Sequence, residues 1–176
     1  MIDRVARPAA VTTRPASEAD VEFLCDVFLR SLREVITASR GRWDAQRERA
    51  QFLSQLDLSG TRLIECDGRA VGFLTVVPEE GTLDLHTLCV QPEHQGQGIG
   101  GHVMRALAGE AGRRAIRLSV LRTNPRARAF YERLGFTVGR IAPHHLEMRR
   151  PPGSVWPSRL ARALADAIHT RWRRRP

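Results

Sequence analysis

The run Gln95-Gly96-Gln97-Gly98-Ile99-Gly100-Gly101 is where residue type and spacing first suggest chemistry in this chain of 176 residues. Its four glycines leave backbone N–H groups uncovered, and some of them are expected to take positive φ, which glycine adopts without steric cost. Bare amides at the start of a helix, reinforced by the partial positive charge of the helix N-terminus, form a cradle for phosphate oxygens. The predicted chemistry is anion binding, and a Cβ in the loop would hold the ligand away.

The elements that must carry this loop can be read on either side of it. Residues 82–90 form a strand before it, and residues 98–113 form a helix after it. Upstream, residues 11–14 read as a short strand. Ser17, with Asp20 three residues later, is an N-cap pair opening a helix through Val21, Leu24, Val27 and Phe28. A second helix is expected over residues 43–56, with Trp43, Ala50, Phe52, Leu53 and Leu56 as its apolar members. Asp67-Gly68 supplies the positive φ angles of a two-residue hairpin between strands at 61–66 and 70–77, and Pro78 to Gly81 turn the chain again. Downstream, residues 115–121 alternate as a strand. Asn124-Pro125 opens a helix that stops at Leu134-Gly135, and residues 136–141 and 145–149 complete the sheet. Antiparallel strand runs with helices on both faces predict an α/β (α+β layered) domain with a mixed, mostly antiparallel central sheet. The length suits one domain with a core of its own.

Gly96, Gly98 and Gly101 also satisfy the GxGxxG pattern of dinucleotide-binding folds, with Arg117 or Arg122 available for a 2′-phosphate. Three features weigh against a nicotinamide dinucleotide. The loop follows several strands instead of the first, residues 91–95 separate strand from glycine, and no acid lies about 20 residues on to hold a ribose.

Two motifs carry a resemblance. Val90-Gln91-Pro92-Glu93-His94-Gln95-Gly96-Gln97-Gly98-Ile99-Gly100 resembles the Q/R-x-x-G-x-G/A signature of the GCN5-related N-acetyltransferases (GNAT), filled by Gln95, Gly98 and Gly100. Asn124 to Phe136 is similar to that family's N-x-x-A-x-x-F-Y-x-x-x-G-F segment, and the likeness covers about residues 10–150. It implies a cytoplasmic N-acetyltransferase that uses acetyl-CoA as cosubstrate, needs no metal, and acts on a small-molecule or peptide amine by direct attack in a ternary complex. A second reading is a catalytically silent acyl-CoA-binding module.

The resemblance also implies roles. Leu88, Cys89 and Val90 would meet the pantetheine arm through the main chain. Gln95, Gly96, Gln97, Gly98, Ile99, Gly100 and Gly101 would hold the pyrophosphate, and Asn124 would lie beside the cofactor arm. Tyr131, the chain's single tyrosine, is the candidate general acid, since a phenol near pKa 10 can reprotonate a leaving thiolate; the pair Phe130-Tyr131 also suits a core. Relatives carry a glutamate on the strand before the loop, where this chain has Asp84 and His86. Alternation sets these two on one face, so His86 could take the acceptor's proton with Asp84 positioning it or the amine; the other reading is two solvent-facing polar residues. An α-amine near pKa 8 is deprotonated more cheaply than a lysine-like amine near 10.4, by roughly 3 kcal/mol, which tilts toward α-amino acceptors. His144 and His145 introduce the last strand and Phe28 and Trp43 the acceptor side; alternation expects the two histidines on opposite faces, and the aromatics suit a core equally well. Cys25, Cys66 and Cys89 are too few and too widely spaced for a disulfide framework or a zinc site and read as buried thiols.

The net charge of +9 is concentrated at the end. From Arg149 onward there are eight arginines against one aspartate, whereas residues 1–148 carry 20 arginines against 18 acids. The expected division is a catalytic domain over residues 1–150, then a Pro/Gly linker and an Arg-rich helix over 151–176. Leu160, Leu164, Ile168 and Trp172 form one stripe of that helix, which could contact its own domain, another subunit or an acidic surface. No recognised nucleic-acid-reading motif accompanies it, so specific nucleic-acid binding is not expected. The first 15 residues lack the apolar middle of a secretory signal, and no apolar run approaches the 18 or so residues of a membrane span.

Overall fold

The computed structural model describes residues 10–154 and residue 156 of the chain. Seven strands, β1 (Val11–Pro15), β2 (Thr61–Cys66), β3 (Arg69–Glu79), β4 (Thr82–Val90), β5 (Ala115–Leu121), β6 (Thr137–Ile141) and β7 (His145–Arg150), form one sheet in the order β1-β2-β3-β4-β5-β7-β6. Every neighbouring pair is antiparallel except β4 with β5. Four helices cover it: α1 (Val21–Arg40), α2 (Ala45–Gln55), α3 (Ile99–Ala111) and α4 (Pro125–Arg133). The predicted mixed sheet with helices on both faces is what forms, and the Arg-rich helix expected after the linker lies outside the described residues.

The two faces follow from strand alternation. Ile64, Leu74, Leu83, Leu85, Met104 and Met148 pack in one apolar cluster beneath α3, while Leu63, Phe73 and Cys89 join Leu24, Val27 and Phe52 of α1 and α2 in another. Phe73 is fully buried, with its ring 5.9 Å from that of Phe52 in an edge contact. Phe73→Ala is expected to cost about 3–5 kcal/mol, the usual penalty for removing a core aromatic ring, read as a lowered urea midpoint of unfolding.

Local signals hold where they are short-range. Asp67 (φ 51°) and Gly68 (φ 76°) make the predicted hairpin turn. The backbone N–H of Ser17 donates to Asp20 at 2.9 Å, and Asp20 is also held by Arg14 at 2.8 Å, so a single 3-10 turn leads into α1. Several boundaries differ from expectation. The first helix extends to Arg40, ended by Gly41 at φ 74°. Asp44 caps α2 by accepting from the Arg47 N–H; Leu53 is exposed while Glu48 is buried, because Glu48 pairs inward with Arg40. Strand β3 continues through Pro78, paired with Leu83, and leaves only Glu80-Gly81 for the turn, since a proline needs no ladder hydrogen bond of its own at that end.

Candidate active site

The sheet splits in the middle. Strands β4 and β5 pair only from Thr82–Leu85 against Ala115–Leu118, yet β4 continues to Val90 and β5 to Leu121. At the branch point the ladder between β3 and β4 skips a residue: Val76 faces Leu85, Thr75 faces Thr87, and His86 is the extra residue of a β-bulge. The bulge reverses the alternation. Leu83 and Leu85 point into the α3 cluster, but Cys89 points into the opposite one. Two cavities, of about 990 and 910 Å³, flank the split and share Leu32 of α1 as a lining residue.

The first cavity collects the predicted cofactor residues except Gln97, which is not among its lining residues. Leu88, Cys89, Val90, Gln95, Gly96, Gly98, Ile99, Gly100, Gly101, Asn124 and Tyr131 all line it. Gly98, at φ 84°, is the N-cap of α3 and has no side chain to cap with; the first helical bond runs from His102 N–H to the Gly98 carbonyl at 3.0 Å. The N–H groups of Ile99, Gly100 and Gly101 therefore have no acceptor within the helix. A Cβ on Gly100 would lie 3.3 Å from the Phe130 ring, so glycine is also what lets α3 and α4 approach. The side chains of the loop glutamines bond within the protein. Gln95 Nε2 donates to the Val90 carbonyl at 2.9 Å, which also accepts from Ser31 Oγ at 3.0 Å, and Gln97 Nε2 donates to the Glu93 carbonyl at 2.8 Å. Both side chains brace the loop. Arg126 and Arg133 of α4 line the same cavity and have no carboxylate partner among the described residues. Amides, a helix start and two uncommitted cations together suit a polyphosphate.

Asn124 caps α4, its side-chain oxygen accepting from Ala127 N–H at 3.0 Å, with Pro125 in the first turn as predicted. This cap sets where Tyr131 sits. The Tyr131 ring is wedged edge-on between Phe130 (5.0 Å) and Phe136 (5.5 Å) and is 8 % exposed. It thus belongs to the core and to the cavity wall at once. Burial raises its phenol above the usual range, with a smaller push from Cys89. Burial likewise pushes the Cys89 thiol up to about 12, which favours its protonated form.

The second cavity holds His86, Asp84, Thr87, His144 and His145, with Phe28 stacked on Phe52 at 4.5 Å as part of its apolar wall. Trp43 is not among its lining residues. Asp84 does share the cavity with His86, but it is committed elsewhere. It faces Arg117 directly in the parallel ladder, and Arg117 Nε donates to both of its oxygens at 3.0 Å, with Nη2 also bonded to Oδ2. Thr82 Oγ1 adds a bond at 3.1 Å. Asp84 is therefore a cross-strand tie that locks the single parallel pairing. His144 and His145 reach the same cavity despite being adjacent, because His144 precedes the strand and is not bound by its alternation. Four charged residues that sequence reasoning missed also line it, Arg40, Glu48, Asp57 and Glu147, as does Arg117, which the sequence suggested only for a 2′-phosphate. For Asp57 the local signal was present, an Asp two residues before a serine that its carboxylate caps, but it announces a turn and says nothing of what the turn lies against.

A model of the GNAT acetyltransferase domain matches residues 59–138. An uncharacterized N-acetyltransferase of Archaeoglobus fulgidus is 33 % identical over 128 residues, covering 67 % of this chain and 87 % of the relative. This chain belongs to the GNAT acetyltransferases. It is accordingly an acyltransferase. Among solved structures, the GNAT fold is shared with the PaiA N-acetyltransferase of Thermoplasma acidophilum in complex with coenzyme A, at TM-score 0.62 and 23 % identity, covering 81 % of this chain and 99 % of that one. It is shared also with the ribosomal-protein-S18-alanine N-acetyltransferase of Escherichia coli, at TM-score 0.61 and 19 % identity, covering 83 % and 96 %. The mostly antiparallel GNAT sheet removes the doubly wound parallel context in which GxGxxG would bind a nicotinamide dinucleotide. Among the described residues no helix is long and apolar enough to cross a membrane.

Proposed function

We propose that this GNAT protein moves an acetyl group from acetyl-CoA to a primary amine by direct attack in a ternary complex. The observation that carries this reading is the meeting of two cavities at the split between β4 and β5, one lined by a bare helix start and the other by His86. Acetyl-CoA supplies an activated thioester carbon. The amides of Ile99, Gly100 and Gly101 hold its pyrophosphate, with Arg126 and Arg133 as the nearby cations, and the exposed edge of β4 orients the pantetheine arm. His86 takes a proton from the attacking amine, and Tyr131 gives one to the departing sulfur. Asp84 holds the two strands at the spacing that keeps both cavities open. An acceptor with an α-amine near pKa 8 asks less of His86 than one near 10.4, which favours amino-terminal or other weakly basic amines.

The test is calorimetric titration of the protein with acetyl-CoA, with NADPH run in parallel. Saturable binding of acetyl-CoA alone, followed by thiol release in the presence of an amine, is the expected result. Binding without thiol release across an amine screen would favour a silent acyl-CoA module, and binding of NADPH alone would remove the reading.

A further inference from the structure

We propose that Asp57 is the positioning partner of His86: its carboxylate faces the imidazole across the acceptor cavity and stabilises the charge that the ring gains on taking the acceptor's proton. This rests on the reading of His86 as base.

The placement comes from backbone hydrogen bonds around the bulge. The loop between α2 and β2 is fastened to the two residues of β3 that flank the bulged position. Val76 N–H donates to the Gly60 carbonyl at 2.9 Å. Thr61 Oγ1 donates to the Asp57 carbonyl at 2.6 Å and lies 2.9 Å from Thr75 Oγ1. Thr75 and Val76 are the residues whose partners on β4 are Thr87 and Leu85, with His86 between them. Gly60 permits the approach, since a Cβ there would stand 2.7 Å from the Val76 carbonyl oxygen. Asp57 and His86 then line one cavity.

Charge singles out Asp57 from the other carboxylates facing that space. Asp84 on β4 is taken by Arg117 of β5, and Glu48 on α2 by Arg40 at the end of α1. Glu147 on β7 has Arg140 at 3.5 Å. Asp57 has no arginine partner among the described residues. Its Oδ1 accepts from the Ser59 N–H at 2.9 Å and the Ser59 hydroxyl at 2.7 Å, which fixes the carboxylate plane. The Ser59 hydroxyl chiefly, and the charge of His86 more weakly, hold it below the usual carboxylate range, so it is ionised wherever an amine can react. His144 and His145 face the same space.

Asp57→Asn keeps an oxygen for Ser59 and removes the charge. The test is an NMR titration of the histidine ring signals in the full chain, with the His86 signal assigned by its loss in His86→Gln. The sign is set by electrostatics: a carboxylate favours the imidazolium, so its removal should lower the His86 midpoint, by roughly half a pH unit for two water-accessible groups. His86 should move more than His144 or His145. In turnover with glycinamide as acceptor, the acidic limb of kcat/KM should move down by the same amount, and Asp57→Asn should add no further loss in a His86→Gln background. A uniform drop in rate with the limb unmoved, or an unmoved His86 midpoint, overturns the pairing. If the midpoint moves but His86→Gln turns over like the parent, the base reading fails while the electrostatic pairing stands.

Discussion

Tyr131→Phe is expected to lower kcat by about 100-fold, at the low end of what a positioned acid supplies, while the affinity for acetyl-CoA stays within about twofold of the parent. The substitution removes one oxygen and keeps the ring that Phe130 and Phe136 grip from either side, so α4 and the cavity wall should persist. The raised phenol is no obstacle to donation. The desolvation that raises Tyr131 also pushes the neighbouring Cys89 thiol up to about 12, and a thiolate leaving into equally dry surroundings would be raised in the same direction. Acid and leaving group are thus shifted in the same direction by the same cause. Steady-state kinetics alongside calorimetry decides the matter: unchanged kcat removes Tyr131 from the proton path and leaves it as core, whereas loss of affinity would mean that the phenol holds the cofactor.

His86→Gln should cost roughly 100-fold in kcat/KM near pH 7, and the deficit should shrink below about tenfold as the pH approaches the acceptor's own amine pKa. The reason is that an acceptor arriving as an ammonium must lose one proton before attack, whereas a free amine has only the proton released from its nitrogen after attack to lose, and that one can pass to solvent. Once bulk hydroxide has deprotonated the acceptor, the imidazole adds little. A deficit that stays constant with pH would point to packing at the bulge, because His86 is the residue by which β4 changes face. Thermal unfolding of the same variant checks that possibility directly, since a base can be removed without shifting the transition.

Several features of this GNAT protein were legible in the sequence because they depend on a few neighbouring residues. Asp67-Gly68 specifies its turn through backbone angles alone, and Asn124-Pro125 specifies the start of α4 through one cap and one missing N–H. The start of α3 at the glycine run was legible for the same reason, since a helix start without side chains can be recognised locally. Helix α1 was read only in its first half, as its last turns are ended by Gly41 and held by an Arg40 to Glu48 pair between two helices.

The sequence by itself thus determined the layered class of the fold, the bare helix start at Gly98 to Gly101 and, through the resemblance, the candidacy of Tyr131 and His86. Tertiary structure alone decided what surrounds them. Asp84 and His86 line one cavity, His86 as the extra residue of the bulge, but which cation reaches Asp84 depends on the register of β4 against β5, strands separated by a whole helix in sequence. Likewise Asp57 is remote from His86 along the chain and comes near it only because a loop is hydrogen-bonded over Thr75 and Val76. Charge pairing across a sheet is a long-range property, set by strand order and register, and neither residue type nor spacing encodes it.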